Sequence, residues 1–157
     1  MKDGLLIDTN LLLVMIIGGI DEGRYIEKSK RLGAFCVEDY DLLWKIVRDH
    51  TEVLITPYIA TEVSNLIDLD GDARSKAFAV AREIFSFFTQ AETLITNDCT
   101  GDFFLQFGLT DNSIITLSKD VNILTNDQRM LTPLYAKSPE RIIPYIPYKA
   151  LNSRYLM

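Results

Sequence analysis

Apolar positions along the chain fall into two kinds of segment, short wholly apolar runs and longer stretches with helical spacing. Leu5-Leu6-Ile7 is of the first kind, as expected of a strand buried on both faces. Leu11 to Ile17 is apolar all round, which predicts a buried helix ended by Gly18-Gly19. Residues 21–36 are polar and follow neither period. Val37 to His50 has helical spacing through Leu43, Trp44 and Val47, and Val53-Leu54-Ile55 reads as a second strand. Thr56-Pro57 supplies an N-cap followed by proline at the first helical position, and predicts a helix to about Leu69. A longer helix over about 72–89 carries the stripe Ala77, Ala81, Ile84, Phe85 and Phe88. Beyond it come a short helical piece (103–107) and a helix from about Thr110 with Ile114, Ile115 and Leu117. A third strand (Val121 to Leu124), a short helix (Asp127 to Tyr135) and a fourth strand (Arg141-Ile142-Ile143) follow. Strands alternating with helices predict a three-layer α/β/α fold around a central, mostly parallel sheet of about four or five strands. The whole chain, 1–157, is expected to be one domain, with a C-terminal strand and tail over 140–157.

Composition narrows the chemistry. The chain is 48% hydrophobic and 24% charged, an ordinary globular balance that excludes disorder and coiled coil. Cys36, Cys99 and the lone histidine, His50, have no metal-ligand spacing, so a zinc site and histidine-based hydrolysis are excluded. Buried, reduced cysteines are expected, and His50 is placed at the C-terminus of a helix, where the dipole favours it. The apolar run Leu11 to Ile20 falls short of the ~20 residues a membrane helix needs. Asp8 and Asn10 interrupt any leader-like stretch, so no membrane association and a cytoplasmic location are expected. The net charge of −6 argues against bulk attraction to a phosphate backbone.

In parallel sheets, ligands sit outside the carboxyl ends of the strands. Asp8 ends the first strand and Thr125-Asn126-Asp127 ends the third; Glu62 rides on the helix after the second strand, and Asp111 opens the helix before the third. Asp8, Asp111 and Asp127 could each serve as a helix cap or first-turn acid. Glu62 is too far along its helix for a capping box and stands at the margin of the Ile59, Val63, Leu66 face. Asp111 shares a side with Ile114 and Ile115. Two inward-leaning acids need compensation, because an unpaired buried charge is costly, and few cations lie near them in sequence. A bound divalent metal is the economical partner. Oxygen donors without Cys or His select Mg²⁺ or Mn²⁺. One or two such ions would activate water for phosphodiester hydrolysis.

The segments LLIDTNLLL, TPYIATEVSNLI, GLTDNSII and ILTND, in this order and at these places relative to strands, resemble the PIN-domain ribonucleases, including the toxins of VapBC-type toxin–antitoxin pairs. The resemblance covers residues 4–131. It implies a doubly wound sheet and Mg²⁺- or Mn²⁺-dependent endonucleolytic cleavage of RNA. Asp8, Glu62, Asp111 and Asp127 would be the catalytic, metal-binding acids. Thr9, Asn10 and Thr125 would orient an acid, a water or a phosphate. Asn126 stands where many relatives have another acid, which leaves one ion or two open. Arg129, in the same first turn as Asp127, is a candidate phosphate contact.

An antitoxin partner and a homodimer are also implied. A housekeeping nuclease of RNA processing and a non-catalytic module that binds RNA or protein are the alternatives. The Phe85/Phe87/Phe88 and Phe103/Phe104/Phe107 clusters read as core or dimer contacts rather than base-stacking platforms. Residues 18–37 and the tail match no common pattern. If the four acids form the site, four of the six excess negative charges face cations, and the acidic balance no longer excludes an RNA substrate.

Overall fold

Residues 2–153 are described by the computed structural model; the end of the predicted tail, 154–157, lies outside them. Five strands form one sheet: β1 (Lys2–Ile7), β2 (His50–Ile55), β3 (Thr89–Gln90), β4 (Asn122–Thr125) and β5 (Ile142–Pro144). Their order is β3-β2-β1-β4-β5 and every pairing is parallel. The expectation of four or five mostly parallel strands thus becomes five, all parallel. Leu5, Leu6 and Ile7 are almost fully buried, as a central strand covered on both faces requires.

Parallel connections cross over right-handedly. The helices joining β1 to β2 and β2 to β3 therefore share one face: α1 (Thr9–Gly18), α2 (Val37–Arg48), α3 (Pro57–Asn65) and α4 (Gly71–Phe87). The chain then returns past β1 through α5 (Ile95–Asp98), α6 (Asp102–Phe107) and α7 (Leu109–Leu117), and α8 (Gln128–Lys137) leads to β5. Contacts of α1 with α2, α3 and α4, and of α7 with α8, agree with two helical layers on the sheet. This is the expected three-layer α/β/α architecture. Enclosure by three helices and the sheet explains why α1 is apolar all round, with Leu11 to Ile17 each at most 1% exposed. Gly18 is needed at its end, since a Cβ there would lie 2.4 Å from the Tyr40 ring.

Several boundaries differ from expectation. α3 stops at Asn65 rather than near Leu69, with Leu66 as its C-cap, whose N–H donates to the Glu62 and Val63 carbonyls. α4 ends at Phe87, and the next residues leave the helix to form β3 against Leu54 and Ile55. The polar stretch 21–36 contains two short 3₁₀ turns (Asp21–Gly23 and Lys30–Leu32) that place Ile26 and Leu32 in the core. His50 opens β2 instead of closing a helix, although its Nδ1 donates to the Ile46 carbonyl in the last turn of α2 (2.8 Å). Neither cysteine is buried as expected: Cys36 is half-buried and Cys99 exposed, and both are free. The unread tail forms α9 (Tyr145–Ser153). Among the described residues no helix is long and apolar enough to cross a membrane.

Candidate functional site

The strand order reverses at β1, which has β2 on one side and β4 on the other. The crevice at such a switch point, beyond the carboxyl ends of the strands, is where an open α/β sheet binds ligands. Asp8 stands there directly after β1, 6% exposed, as the N-cap of α1. Its backbone N–H donates to the Leu124 carbonyl (2.9 Å), which extends the β1–β4 pairing to the site. Its Oδ1 accepts from the Thr9 N–H (2.7 Å) and its Oδ2 from the Thr125 hydroxyl (2.6 Å).

Thr125 is fully buried at the end of β4, and its hydroxyl oxygen also accepts from the Asp127 N–H (3.0 Å). One hydroxyl therefore links two of the acids. Asp127 caps α8 by accepting from the Arg129 N–H (3.0 Å), and it pairs with the Arg129 guanidinium at 2.9 and 3.2 Å. Asp111 lies in the first turn of α7. That turn is held by Asn112, whose amide donates to the carbonyls of Asp98 (2.6 Å) and Thr100 (3.0 Å).

The four acids act on one another. Burial, then the charges of Asp8, Asp127 and Glu62, push the Asp111 carboxyl up to about 7, with Arg129 opposing. The Asp8 carboxyl is also raised, chiefly by burial with help from Asp127 and Glu62, against the bonds from Thr125 and Thr9. Burial raises Asp127 too, but the hydrogen bonds and charge of Arg129 outweigh it and hold this carboxyl below its ordinary range. Glu62 corrects an expectation: it is exposed, not inward-leaning, because Ile59 and Val63 take the buried side of α3. It contributes charge from the rim.

The remaining candidates divide. Thr9 is buried and engages Asp8 through its backbone, whereas Asn10 is exposed. Arg129 stands at the rim with its side chain 74% exposed, tied to Asp127. Asn126 is half-buried and lines a cavity of about 370 Å³ that none of the four acids borders. A larger cavity, about 610 Å³, lies among Trp44, His50, Phe87 and Phe88 and includes none of the acids, so size does not locate the chemistry.

Among the described residues, no three carboxylates are placed to hold one ion as they stand. In charge and donor chemistry the set does fit a hard divalent cation. It offers only oxygens, its buried members are short of positive charge, and the Arg129 guanidinium is directed first to Asp127.

Sequence reasoning missed Asp39. This residue is fully buried and accepts from the Tyr145 hydroxyl, Lys149 Nζ (2.7 Å), the Cys36 N–H (2.8 Å) and the Cys36 thiol (3.3 Å). Burial alone would raise its carboxyl; Lys149, Tyr145 and Cys36 outweigh that and lower it. The available signal was an acid at the third position of a helix, where a capping acid falls. No protein-family model matches the chain, and no curated protein matches it.

Proposed function

We propose that this chain is a metal-dependent endoribonuclease of the PIN-domain type, hydrolysing RNA phosphodiester bonds, and the toxin of a type II toxin–antitoxin pair. The observation that carries this reading is the mutual charge effect of Asp8, Asp111 and Asp127, with Asp8 standing at the switch point between β1 and β4. The motif order described above supports the same reading. Asp8, Asp111 and Asp127, with Glu62 at the rim, would hold Mg²⁺ or Mn²⁺. When bound, such an ion supplies an activated water and charge neutralisation at the phosphate. The chain's own residues do the rest. Thr125 and Thr9 fix the Asp8 carboxylate, and Arg129 holds Asp127 while offering its exposed guanidinium to a phosphate.

Purified protein should cleave single-stranded RNA with Mn²⁺. Cleavage should vanish in EDTA, and also in Asp8→Asn or Asp111→Asn protein that remains folded. Full activity in excess EDTA would overturn the metal mechanism. The toxin assignment is tested by a small neighbouring reading frame whose product binds this chain and silences it; with no such frame, an RNA-processing role stands instead. A homodimer is tested by sedimentation.

A second reading, a non-catalytic RNA-binding module, is favoured by the absence, among the described residues, of three carboxylates placed around one point. It expects RNA that is bound but never cut, with Asp111→Asn leaving affinity unchanged.

A further inference from the structure

Thr125 pairs with Pro144 across β4 and β5, so Asn126 and Tyr145 leave adjacent strands side by side at the carboxyl edge. Between them opens the cavity of about 370 Å³, bounded by Phe35, Asp39, Asn126, Tyr145, Ile146 and Lys149. Asp127 directly follows Asn126 in the chain. We propose that this cavity is a nucleobase subsite, which takes the base of an RNA nucleotide next to the phosphate held at the acids, with Asn126 reading the base edge. The inference rests on the ribonuclease reading and adds a determinant of sequence preference to it.

Four features make the cavity suit a base. Phe35 is half-buried on the cavity wall and packs against the fully buried Tyr145 ring at 6.4 Å and 45°, so a flat ring meets the Phe35 side chain on entering. Asn126 makes no side-chain hydrogen bond among the described residues, leaving its amide a free donor and acceptor for a base edge. Lys149 is 38% exposed and spends one N–H on buried Asp39, which leaves two donors for a flanking phosphate or carbonyl. Finally, the floor is rigid, because Asp39 ties α9 to α2 through both Tyr145 and Lys149. A preformed wall lowers the ordering cost of binding.

The same geometry gives Asn126 a different part from the acid that its position resembles. It sits between two site residues in sequence, Thr125 and Asp127, yet its side chain borders the base cavity.

The test separates binding from cutting. Short single-stranded oligoribonucleotides of differing sequence are titrated, in EDTA, against Asp111→Asn protein by fluorescence anisotropy. In that background Asn126→Ala and Phe35→Leu should each weaken binding about five- to hundredfold, the range for lost base contacts. Asn126→Ala should also flatten the preference among sequences. In the active protein, mapping of cut sites with Mn²⁺ should show the base preference beside the cut altered by Asn126→Ala. Unchanged affinity and unchanged preference in both variants would overturn the subsite, even in a protein that cuts RNA. Loss of binding and of preference in the variants of a protein that never cuts RNA would uphold the subsite and reject the nuclease.

Discussion

The Thr125 hydroxyl donates to Asp8 Oδ2 at 2.6 Å, a bond between residues 117 positions apart that closes the site. The same oxygen accepts the Asp127 N–H, so replacing it leaves a buried acid and a backbone donor each short of a partner. Thr125→Val is expected to lower stability by about 1–3 kcal/mol in urea unfolding, and Thr125→Ser to lower it by less. Equal stability of the Val variant and the wild type would contradict this pairing.

Stability without divalent cation should fall as pH rises through the Asp111 range. Its carboxyl sits near 7 in the folded chain against 3.8 ordinarily, so between those values the folded state binds more protons than the unfolded one. Raised Asp8 acts in the same direction, whereas lowered Asp127 and Asp39 withdraw their contributions only as pH falls below their ordinary range. Thermal denaturation in EDTA should therefore show a maximum at about pH 4–5 and a loss on the order of 1–3 kcal/mol by about pH 8. Asp111→Asn should flatten most of that loss.

Added Mn²⁺ should reverse it. A cation that binds only the folded state stabilises by mass action, and the effect should be largest where Asp111 is ionised. A calorimetric melting temperature that rises with millimolar Mn²⁺ at neutral pH in wild type, and stays flat in Asp111→Asn, is the expected result.

The Asp39 cluster is structural, and its variants should show it. Tyr145→Phe removes a hydroxyl from a buried carboxylate and should cost about 1.5–3 kcal/mol. Lys149→Ala strands that carboxylate without its cation and should cost about 3–5 kcal/mol, less where water reaches the half-exposed lysine. Urea midpoints at neutral pH measure both.

Leu13 on the enclosed helix α1 is fully buried, and Leu13→Ala should destabilise by about 2–5 kcal/mol. Gly18→Ala should also destabilise, since its new methyl group meets the Tyr40 ring. Both effects are read from thermal or urea unfolding.

Local chemistry made much of the scaffold legible. Thr56-Pro57 starts α3 as expected, with the Thr56 hydroxyl accepting from the Ile59 N–H, and the all-apolar run of α1 implied its burial. Asp8, Asp111 and Asp127 were legible because each follows a strand or opens a helix. Their mutual effect was not, since it depends on which strands adjoin β1. Glu62 was misplaced because at ~100° per residue a marginal position falls to either side, and only packing decides. β3 escaped notice because its two residues, Thr89 and Gln90, are exposed and carry no apolar run. Asp39 went unread because in sequence it is only an acid in the first turn of a helix, while Tyr145 and Lys149, which hold it, lie more than a hundred residues away on α9.

The central place of β1 has a consequence for synthesis. Its β4 edge stays bare until the segment around 122–125 has been made, because no earlier strand pairs there. An N-terminal fragment ending before β4 contains β1, β2 and α1 to α4, yet it lacks both Thr125 and Asp127. The acidic pocket therefore assembles only after β4, and no nascent chain that stops short of residue 127 carries it.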